Sequence, residues 1–365
     1  MRACRFLPFL LIFMLALAAP GRADDLAAPT VQTVETLIRD EMRRQEIPGL
    51  SAAVVRANRR VWSKGFGAAD LENSVPATPE TVYRLGSLSK PITAVALLQL
   101  AERGAVDLDA PVQKYVSAFP AKPWPVTVRH LLSHQGGVRH YNSLAEFDST
   151  RHYARLADTL PIFAADPLAH EPGTKYLYTT YGYTLLGLVI EAASGKRYDE
   201  QVRASVFEPA GMTGARVDDV FAIIPRRAQG YRKNSKGELE NSALADTSNK
   251  IPGGGLCAPA NDLAAFAIAL MENRLVKPET RAAMWTLQKT RDGTLTEYGL
   301  GWRISERNGL REVHHGGAQQ RIRTFLYLLP DRDVAVAVMC NLEGASLTAL
   351  AQKIADAVLA DAPKQ

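Results

Sequence analysis

The chain has 365 residues, of which 47% are hydrophobic and 22% are charged. These proportions are those of an average globular protein, and they exclude a disordered, collagen-like or coiled-coil chain. The formal net charge is +5 at pH 7, but three of the arginines lie within the first 23 residues. The remaining sequence has no run of like charges, so we expect no nucleic-acid partner.

The first segment, residues 1–23, has the pattern of a secretory signal peptide. It begins with basic residues, continues with an apolar stretch and ends in Gly21-Arg22-Ala23, a small-x-small cleavage site. The apolar stretch is shorter than the roughly 20 residues that span a bilayer, so a retained anchor is the weaker interpretation. We expect a periplasmic or secreted protein with no stable membrane span after cleavage.

Beyond this segment, apolar periodicity and turn residues predict helices and strands in a definite order. Helices are predicted at about residues 31–42, 89–103, 183–193, 262–271 and 342–359. Strands are predicted at 51–56, 61–67, 299–304, 312–315, 324–329 and 334–339. Cys257 and Cys340 lie in apolar runs, which favours two buried free thiols over a disulfide framework.

The order of these elements predicts the architecture. Strand patterns at both ends of the chain, joined by short turns, indicate an antiparallel sheet built from the two termini and flanked by helices. We expect this sheet part at about 30–105 and 251–365, with a mainly helical part inserted at about 106–250. Together they would form one domain over residues 24–365.

The sharpest local feature is the segment Ser87-Leu88-Ser89-Lys90 at the start of a predicted helix. Helical residues three apart lie on one face, so the Ser87 hydroxyl and the Lys90 amine are expected to be neighbours. A buried lysine can lose its proton near neutral pH and activate the hydroxyl. Taken alone, the motif also fits a capping serine beside a surface lysine.

Two later motifs supply the context that the first one needs. Tyr178-Thr179-Thr180 lies in a turn just before a helix, and His314-His315-Gly316-Gly317 ends a strand pattern. In order and separation the three motifs resemble those of the serine β-lactamase and penicillin-binding protein family. The resemblance covers about residues 30–360 and is strongest to the class C-like branch that includes a mitochondrial β-lactamase-like serine protease. It implies the mixed α/β (α+β) β-lactamase/transpeptidase-like fold.

The resemblance also implies a role for each motif residue. Ser87 would be the acylated nucleophile, Lys90 its base partner, and Tyr178 the residue that moves a proton between the serine and the leaving group. The backbone N–H groups of Ser87 and Gly317 would form the oxyanion hole. No cofactor and no metal ion are implied.

Two positions depart from the family pattern. Thr180 replaces an asparagine, and a hydroxyl is less able than an amide to donate and accept at once. His314 replaces a lysine, and a histidine is only partly charged at neutral pH. We expect Thr180, His314 and Gly316 to contact the substrate. Arg321 and Arg323 would either restore the missing charge or remain solvated surface residues.

No metal site is predicted from the histidines. His130 and His134 are four residues apart, but the glutamate that follows the first histidine in zinc peptidases is absent. His314 and His315 are neighbours on a strand, so their side chains are expected on opposite faces of the sheet.

These patterns predict a serine hydrolase that acts through an acyl-enzyme on an ester, amide or peptide, with a small molecule or peptide as its partner. The two departures favour an esterase or peptidase over a true β-lactamase or a D-Ala-D-Ala carboxypeptidase. The other class of function is a non-catalytic relative that binds peptides or cell-wall fragments, or forms a scaffold. Retention of Ser87, Lys90 and Tyr178 together argues against it. The oligomeric state stays open.

Overall fold

The structure is a computed structural model that describes residues 26–361, so the predicted signal segment lies outside the described residues. The helices are Ala28–Gln45 (α1), Ser89–Glu102 (α2), Val128–Leu132 (α3), Leu144–Phe147 (α4), Thr180–Ser194 (α5), Tyr198–Val202 (α6), Glu208–Ala210 (α7), Ile251–Gly254 (α8), Ala260–Met271 (α9), Pro278–Met284 (α10) and Thr348–Ala360 (α11). The strands are Gly49–Arg56 (β1), Arg59–Asp70 (β2), Val75–Pro76 (β3), Tyr83–Arg84 (β4), Arg216–Val217 (β5), Tyr231–Lys233 (β6), Leu239–Asn241 (β7), Leu256–Ala258 (β8), Arg303–Arg307 (β9), Leu310–Gln319 (β10), Ile322–Leu329 (β11) and Val334–Cys340 (β12).

Seven strands form the main sheet, in the order β3-β2-β1-β12-β11-β10-β9. Each neighbouring pair is antiparallel. Strands from the two ends of the chain, β1 and β12, pair near the centre, with Leu50 opposite Cys340. The prediction of an antiparallel sheet built from both chain ends is confirmed.

Helices cover both faces of this sheet, which explains why its central strands are apolar along their length. All of β12 is buried, and so is β1 except its last residue. Such continuous burial occurs where both faces of a sheet are covered. Alternate residues face two cores: Val54 and Val336 pack in the core that holds Ile38 of α1 and Ile354 of α11. Their strand neighbours face the core formed with α2 and α9.

Two predicted elements begin later than the sequence pattern suggests. The strand expected at 299–304 begins at Arg303, because residues 298–302 form a turn closed by a bridge between Tyr298 and Arg303. The helix expected at 342–359 begins at Thr348. Gly344 has φ +78°, a left-handed conformation that interrupts a helix, and Leu342 bridges Tyr231 instead.

Between α2 and α8 the chain forms short helices, turns and the two-stranded sheet β6-β7. It also supplies β5 to a three-stranded sheet, β4-β8-β5, whose other strands lie just before α2 and just after α8. The longest helix in this stretch, α5, packs against α2 and α8. This packing brings the Tyr178 segment, which leads into α5, to the start of α2. Within the described residues, Cys257 and Cys340 are buried free thiols, as predicted. None of the helices among residues 26–361 is long and apolar enough to cross a membrane.

Candidate active site

Ser87 lies in a 3-10 turn, Gly86–Leu88, that runs directly into α2. Its side chain is partly exposed, whereas Leu88, Ser89 and Lys90 are buried. The turn thereby presents one hydroxyl to a cleft at the positive end of a long helix. The predicted proximity of Ser87 and Lys90 is confirmed by a distance of 3.1 Å between Oγ and Nζ.

Lys90 is fully buried among uncharged hydrogen-bonding partners. Its Nζ lies 2.7 Å from the carbonyl oxygen of Gly253 and 3.2 Å from Thr180 Oγ1. Burial lowers the pKa of Lys90 well below its usual range, and the positive charges of Arg303 and Lys250 lower it further. Both effects favour the neutral amine, the form that a base requires. Thr180 contacts this lysine and does not line the cleft.

Tyr178 lies over the lysine, with Nζ of Lys90 4.7 Å from its ring centre. Two histidines hold the backbone that follows it: the N–H of Thr179 donates to His134 Nδ1 and the N–H of Thr180 to His140 Nδ1. Burial raises the pKa of the Tyr178 hydroxyl, and its hydrogen bond with Ser87 opposes that rise. The second predicted motif thus meets the first at the serine hydroxyl.

The two histidines of the third motif face opposite sides of β10, as predicted. His315 is buried on the side of β10 that faces Tyr178, and the centres of the two rings are 6.3 Å apart. Its Nδ1 donates to Gly316 O at 2.8 Å, so Nε2 accepts from the Tyr298 hydroxyl at 2.9 Å. Burial lowers the pKa of His315 well below its usual range, so the ring is neutral.

His314 lies on the other face of β10. Its ring packs against Phe325, with centres 5.4 Å apart, and its Nε2 is 3.3 Å from Ser305 Oγ. Burial also lowers its pKa. His314 does not take the place of the family lysine beside Lys90 and Tyr178, because strand alternation turns His315 to that side. His314 still lines the cleft, so its contact with a substrate stays a prediction.

The register of β10 also decides which backbone N–H groups face the serine. A two-residue turn, Gln320-Arg321, joins β10 to β11, with Gln319 paired to Ile322. In such a hairpin the flanking pair exchanges both hydrogen bonds, and every second residue repeats this pattern. Gly317, two residues before Gln319, therefore directs its N–H toward β11.

The N–H of Ala318 points the opposite way, beyond the end of β9 and toward the serine turn. Ala318 N is 3.1 Å from the position that a Cβ on Gly86 would take. The expectation that the Gly317 N–H lines the oxyanion site is wrong for the same reason of strand alternation. Gly317 has a different use: a Cβ there would lie 1.9 Å from Leu85 O, so glycine permits the close approach of β10 to the turn that holds Ser87.

These residues surround an open cleft of about 450 Å³, lined by Ser87, Tyr178, Arg303, His314, His315, Gly316, Gly317, Ala318, Arg323, Thr324, Phe325 and residues 345–348. Gly316 lies in this lining, as expected for a substrate-contacting residue. Arg323 also lines it, but Arg321 packs against Gly230 outside it. Sequence reasoning missed Arg303, whose guanidinium carbon lies 5.7 Å from the ring centre of Tyr178.

The described residues include no group of three or more His, Cys, Asp or Glu side chains placed to hold a metal ion. His134, one of the two histidines at helical spacing, is buried among aromatic rings and accepts from the backbone of Thr179. It serves to hold the turn that carries Tyr178.

Comparison with known proteins agrees with this geometry. The protein-family profile described as Beta-lactamase matches residues 34–359. The chain belongs to the beta-lactamase family. It is 30% identical over 428 aligned positions to the mitochondrial serine beta-lactamase-like protein LACTB of Homo sapiens, covering 87% of this chain and 77% of that protein.

Solved structures of other proteins share the fold. The octameric penicillin-binding protein homologue from Pyrococcus abyssi superposes with a TM-score of 0.80 at 29% identity, covering 90% of this chain and 77% of that one. EstCE1, described as a hydrolase with promiscuous acyltransferase activity, superposes with a TM-score of 0.76 at 21% identity, covering 90% of this chain and 98% of its own. The family member described here therefore has the β-lactamase and penicillin-binding protein fold.

Proposed function

We propose that this beta-lactamase-family protein is a serine hydrolase that cleaves an ester, amide or peptide bond through an acyl-enzyme. The observation that carries the proposal is the fully buried amine of Lys90, 3.1 Å from Ser87 Oγ, whose pKa burial lowers well below its usual range. A neutral amine can accept the hydroxyl proton and so create the nucleophile. A module that only binds peptides has no need of this arrangement.

In the acylation step, Lys90 accepts the Ser87 proton as Oγ bonds to the substrate carbonyl carbon. The amine hydrogens are occupied by Gly253 O and Thr180 Oγ1, which leaves the lone pair for the serine hydroxyl. The Tyr178 hydroxyl passes the proton to the leaving oxygen or nitrogen as its bond to the carbonyl carbon breaks. Water then attacks the acyl carbon, its proton follows the reverse path, and Ser87 regains its hydrogen.

The negative oxygen that develops during each attack needs two donors. The backbone N–H groups of Ser87 and Ala318 are the candidates, since both belong to segments that meet at the cleft. Fixed backbone donors of this kind stabilise a tetrahedral intermediate more than the ground state.

An ester or peptide substrate is favoured over a β-lactam or D-Ala-D-Ala peptide. The third motif offers neutral histidine rings where the family pattern has a charged lysine. The hydroxyl of Thr180 is hydrogen-bonded to Lys90 and so is not directed at a substrate. Export to the periplasm or medium stays a prediction from the pattern of residues 1–23.

A panel of p-nitrophenyl esters, short peptides and nitrocefin tests the assignment. We expect ester or peptide turnover well above nitrocefin turnover, and loss of all of it in Ser87→Ala. Nitrocefin as the fastest substrate would replace this proposal with a β-lactamase, and unchanged turnover in Ser87→Ala would exclude Ser87 as the nucleophile.

A further inference from the structure

Arg303 occupies a place in the cleft that no sequence motif indicates. It begins β9 directly opposite His314. Its guanidinium carbon is 5.7 Å from the ring centre of Tyr178 and 5.9 Å from that of Tyr298. Guanidinium groups bind aromatic faces through the ring quadrupole. Glu297 forms an ion pair with it, which holds the group in place at the cleft wall.

The other basic groups that line the cleft are either neutral rings or directed away from Tyr178. Burial lowers the pKa of both His314 and His315. Arg323 donates to the backbone oxygens of Gln319 and Ile322, at 3.3 and 2.9 Å, and so faces the β10–β11 turn. Among the described residues that line the cleft, Arg303 is therefore the cation placed over the catalytic tyrosine.

Lys250 is a second buried amine near the centre, but it is directed elsewhere. Its Nζ donates to Phe147 O at 2.5 Å and lies over the rings of Tyr141 and Phe147. Burial lowers the pKa of Lys250 to about 7, so it is only partly charged at neutral pH.

We propose that Arg303 is a positioning residue of the catalytic centre, whose fixed guanidinium supplies the permanent positive charge that the third motif lacks in this chain. The inference rests on the proposed hydrolase function. Arg303 acts through Lys90 and Tyr178: a positive charge nearby favours the neutral amine over the ammonium, and the phenolate over the phenol. It touches neither the serine nor the bond that breaks.

The charged groups around Lys90 and Arg303 support the view that Arg303 favours the neutral amine of Lys90. The titratable or charged groups around Lys90 are Tyr178, Tyr183, His134, His140, His315, Lys250 and Arg303. Those around Arg303 are Glu297, Tyr176, Tyr178, Tyr298 and His314. After burial, Arg303 is the charge that lowers the pKa of Lys90 most. Loss of Arg303 should raise that pKa, and the base would then be protonated at pH values where it is now active.

The test is the rate at which a neutral fluorophosphonate labels Ser87, measured from about pH 5 to pH 9. In this reaction Ser87 Oγ bonds to phosphorus, fluoride leaves and the hydroxyl proton goes to the base. In Arg303→Gln we expect the acidic limb of the profile to move up by about one pH unit, and labelling on that limb to slow about tenfold. Arg303→Lys, which keeps the charge, should retain the wild-type profile within about threefold.

Arg311→Gln is the matched control, because it removes the same charge from the same sheet at an exposed position paired with Asp331. Its profile should overlay that of the wild type. Near-ultraviolet circular dichroism and the melting temperature show whether each variant is folded.

The inference is overturned if folded Arg303→Gln has the wild-type profile, or if Arg303→Lys is slowed as much as Arg303→Gln. A wild-type protein that is not labelled at Ser87 would instead reject the hydrolase proposal, and this inference with it. The two failures are therefore distinguishable.

Discussion

At the scale of single residues, the proposed catalytic centre depends on a lysine that the fold keeps away from water. The hydrogen-bonding partners of Lys90 are two hydroxyls and a carbonyl, and none of them carries a negative charge. An ammonium group buried without an anion is costly, so burial lowers the pKa of Lys90 and favours the neutral amine. The cost of desolvation usually keeps lysine out of a protein interior, and here the same cost lowers the pKa of Lys90.

Replacement of Lys90 by methionine tests its role as base. Methionine fills much of the same space and cannot accept a proton, so we expect kcat/KM for an ester to fall by about 10³-fold, within the range for a lost general base. Lys64→Met is the control: Lys64 is a half-exposed residue of β2 that pairs with Glu35 of α1, and its loss should leave the rate unchanged. A loss smaller than about tenfold in Lys90→Met would contradict the base assignment.

Lys250 predicts a pH dependence of stability. Its pKa is about 7 in the folded chain against 10.5 for the ordinary side chain. Between these values the unfolded chain binds a proton that the folded chain does not, so folding is stabilised as the pH rises through this window. Urea unfolding of wild type and Lys250→Met should show a wild-type advantage that is larger at about pH 9.5 than at pH 7. A difference that is constant or smaller at high pH would refute the lowered pKa.

At the scale of elements, the site forms where one edge of β10 passes over the turn that begins α2. Thr324 Oγ1 of β11 donates to Leu85 O at 2.8 Å, which fixes the strand pair to the turn. The approach leaves no room for a side chain at Gly317, whose added Cβ would lie 1.9 Å from Leu85 O and 2.2 Å from Thr324 Oγ1. The close approach of β10 to the serine turn, and with it the proposed oxyanion site, therefore requires a residue without a Cβ atom at position 317.

Gly317→Ala should accordingly destabilise the protein by about 1–3 kcal/mol and slow the labelling of Ser87, because backbone atoms must move to relieve the overlap. Gly316→Ala, on the next residue, provides the comparison for stability. Its added Cβ would lie 3.3 Å from the Phe325 ring and 3.7 Å from Thr324 O, with no overlap of the kind found at Gly317, and should cost less. Equal stability losses in urea unfolding would show that the close approach of β10 to the serine turn is incorrect.

At the scale of the whole molecule, the catalytic groups come from three distant parts of the chain. Ser87 and Lys90 follow the N-terminal strands, Tyr178 precedes α5, and His315 and Arg303 lie on the C-terminal strands. The central pairing of β1 with β12 joins the first and last parts, and α1 and α11 cover it on one face. Stability of this sheet is therefore a condition for the site, and the core under α1 and α11 meets the cleft at Phe325, Ala345 and Leu347.

Ile354→Ala tests whether the stability of the sheet and the reaction rate can be changed separately. Ile354 of α11 is fully buried against the sheet, so its truncation should cost about 2–5 kcal/mol in urea unfolding. The rate per folded molecule should stay unchanged, since Ile354 does not line the cleft. Leu295→Ala, at a position 58% exposed, should cost less than about 0.5 kcal/mol. A changed rate in fully folded Ile354→Ala protein would contradict this expectation and show that packing at Ile354 affects the site.

Much of this arrangement could be predicted from local patterns. Helical spacing placed Ser87 beside Lys90, and strand patterns at both chain ends, joined by short turns, placed the terminal strands in one antiparallel sheet. The third motif could not be resolved in this way, because the His-x-Gly spacing fits both His314 and His315. Only the register of β10 decides which ring faces the serine and which N–H points to the cleft. Arg303 lies in no motif at all, and its proximity to Tyr178 arises from the sheet order.

The most direct measurement of the central claim is the mass of the protein after reaction with a fluorophosphonate, followed by peptide mapping. We predict one adduct on the peptide that contains Ser87, its absence in Ser87→Ala, and strongly reduced formation in Lys90→Met. Absence of an adduct in the folded wild-type protein, or an adduct that persists unchanged in Ser87→Ala, would contradict the assignment of Ser87 as a lysine-activated nucleophile.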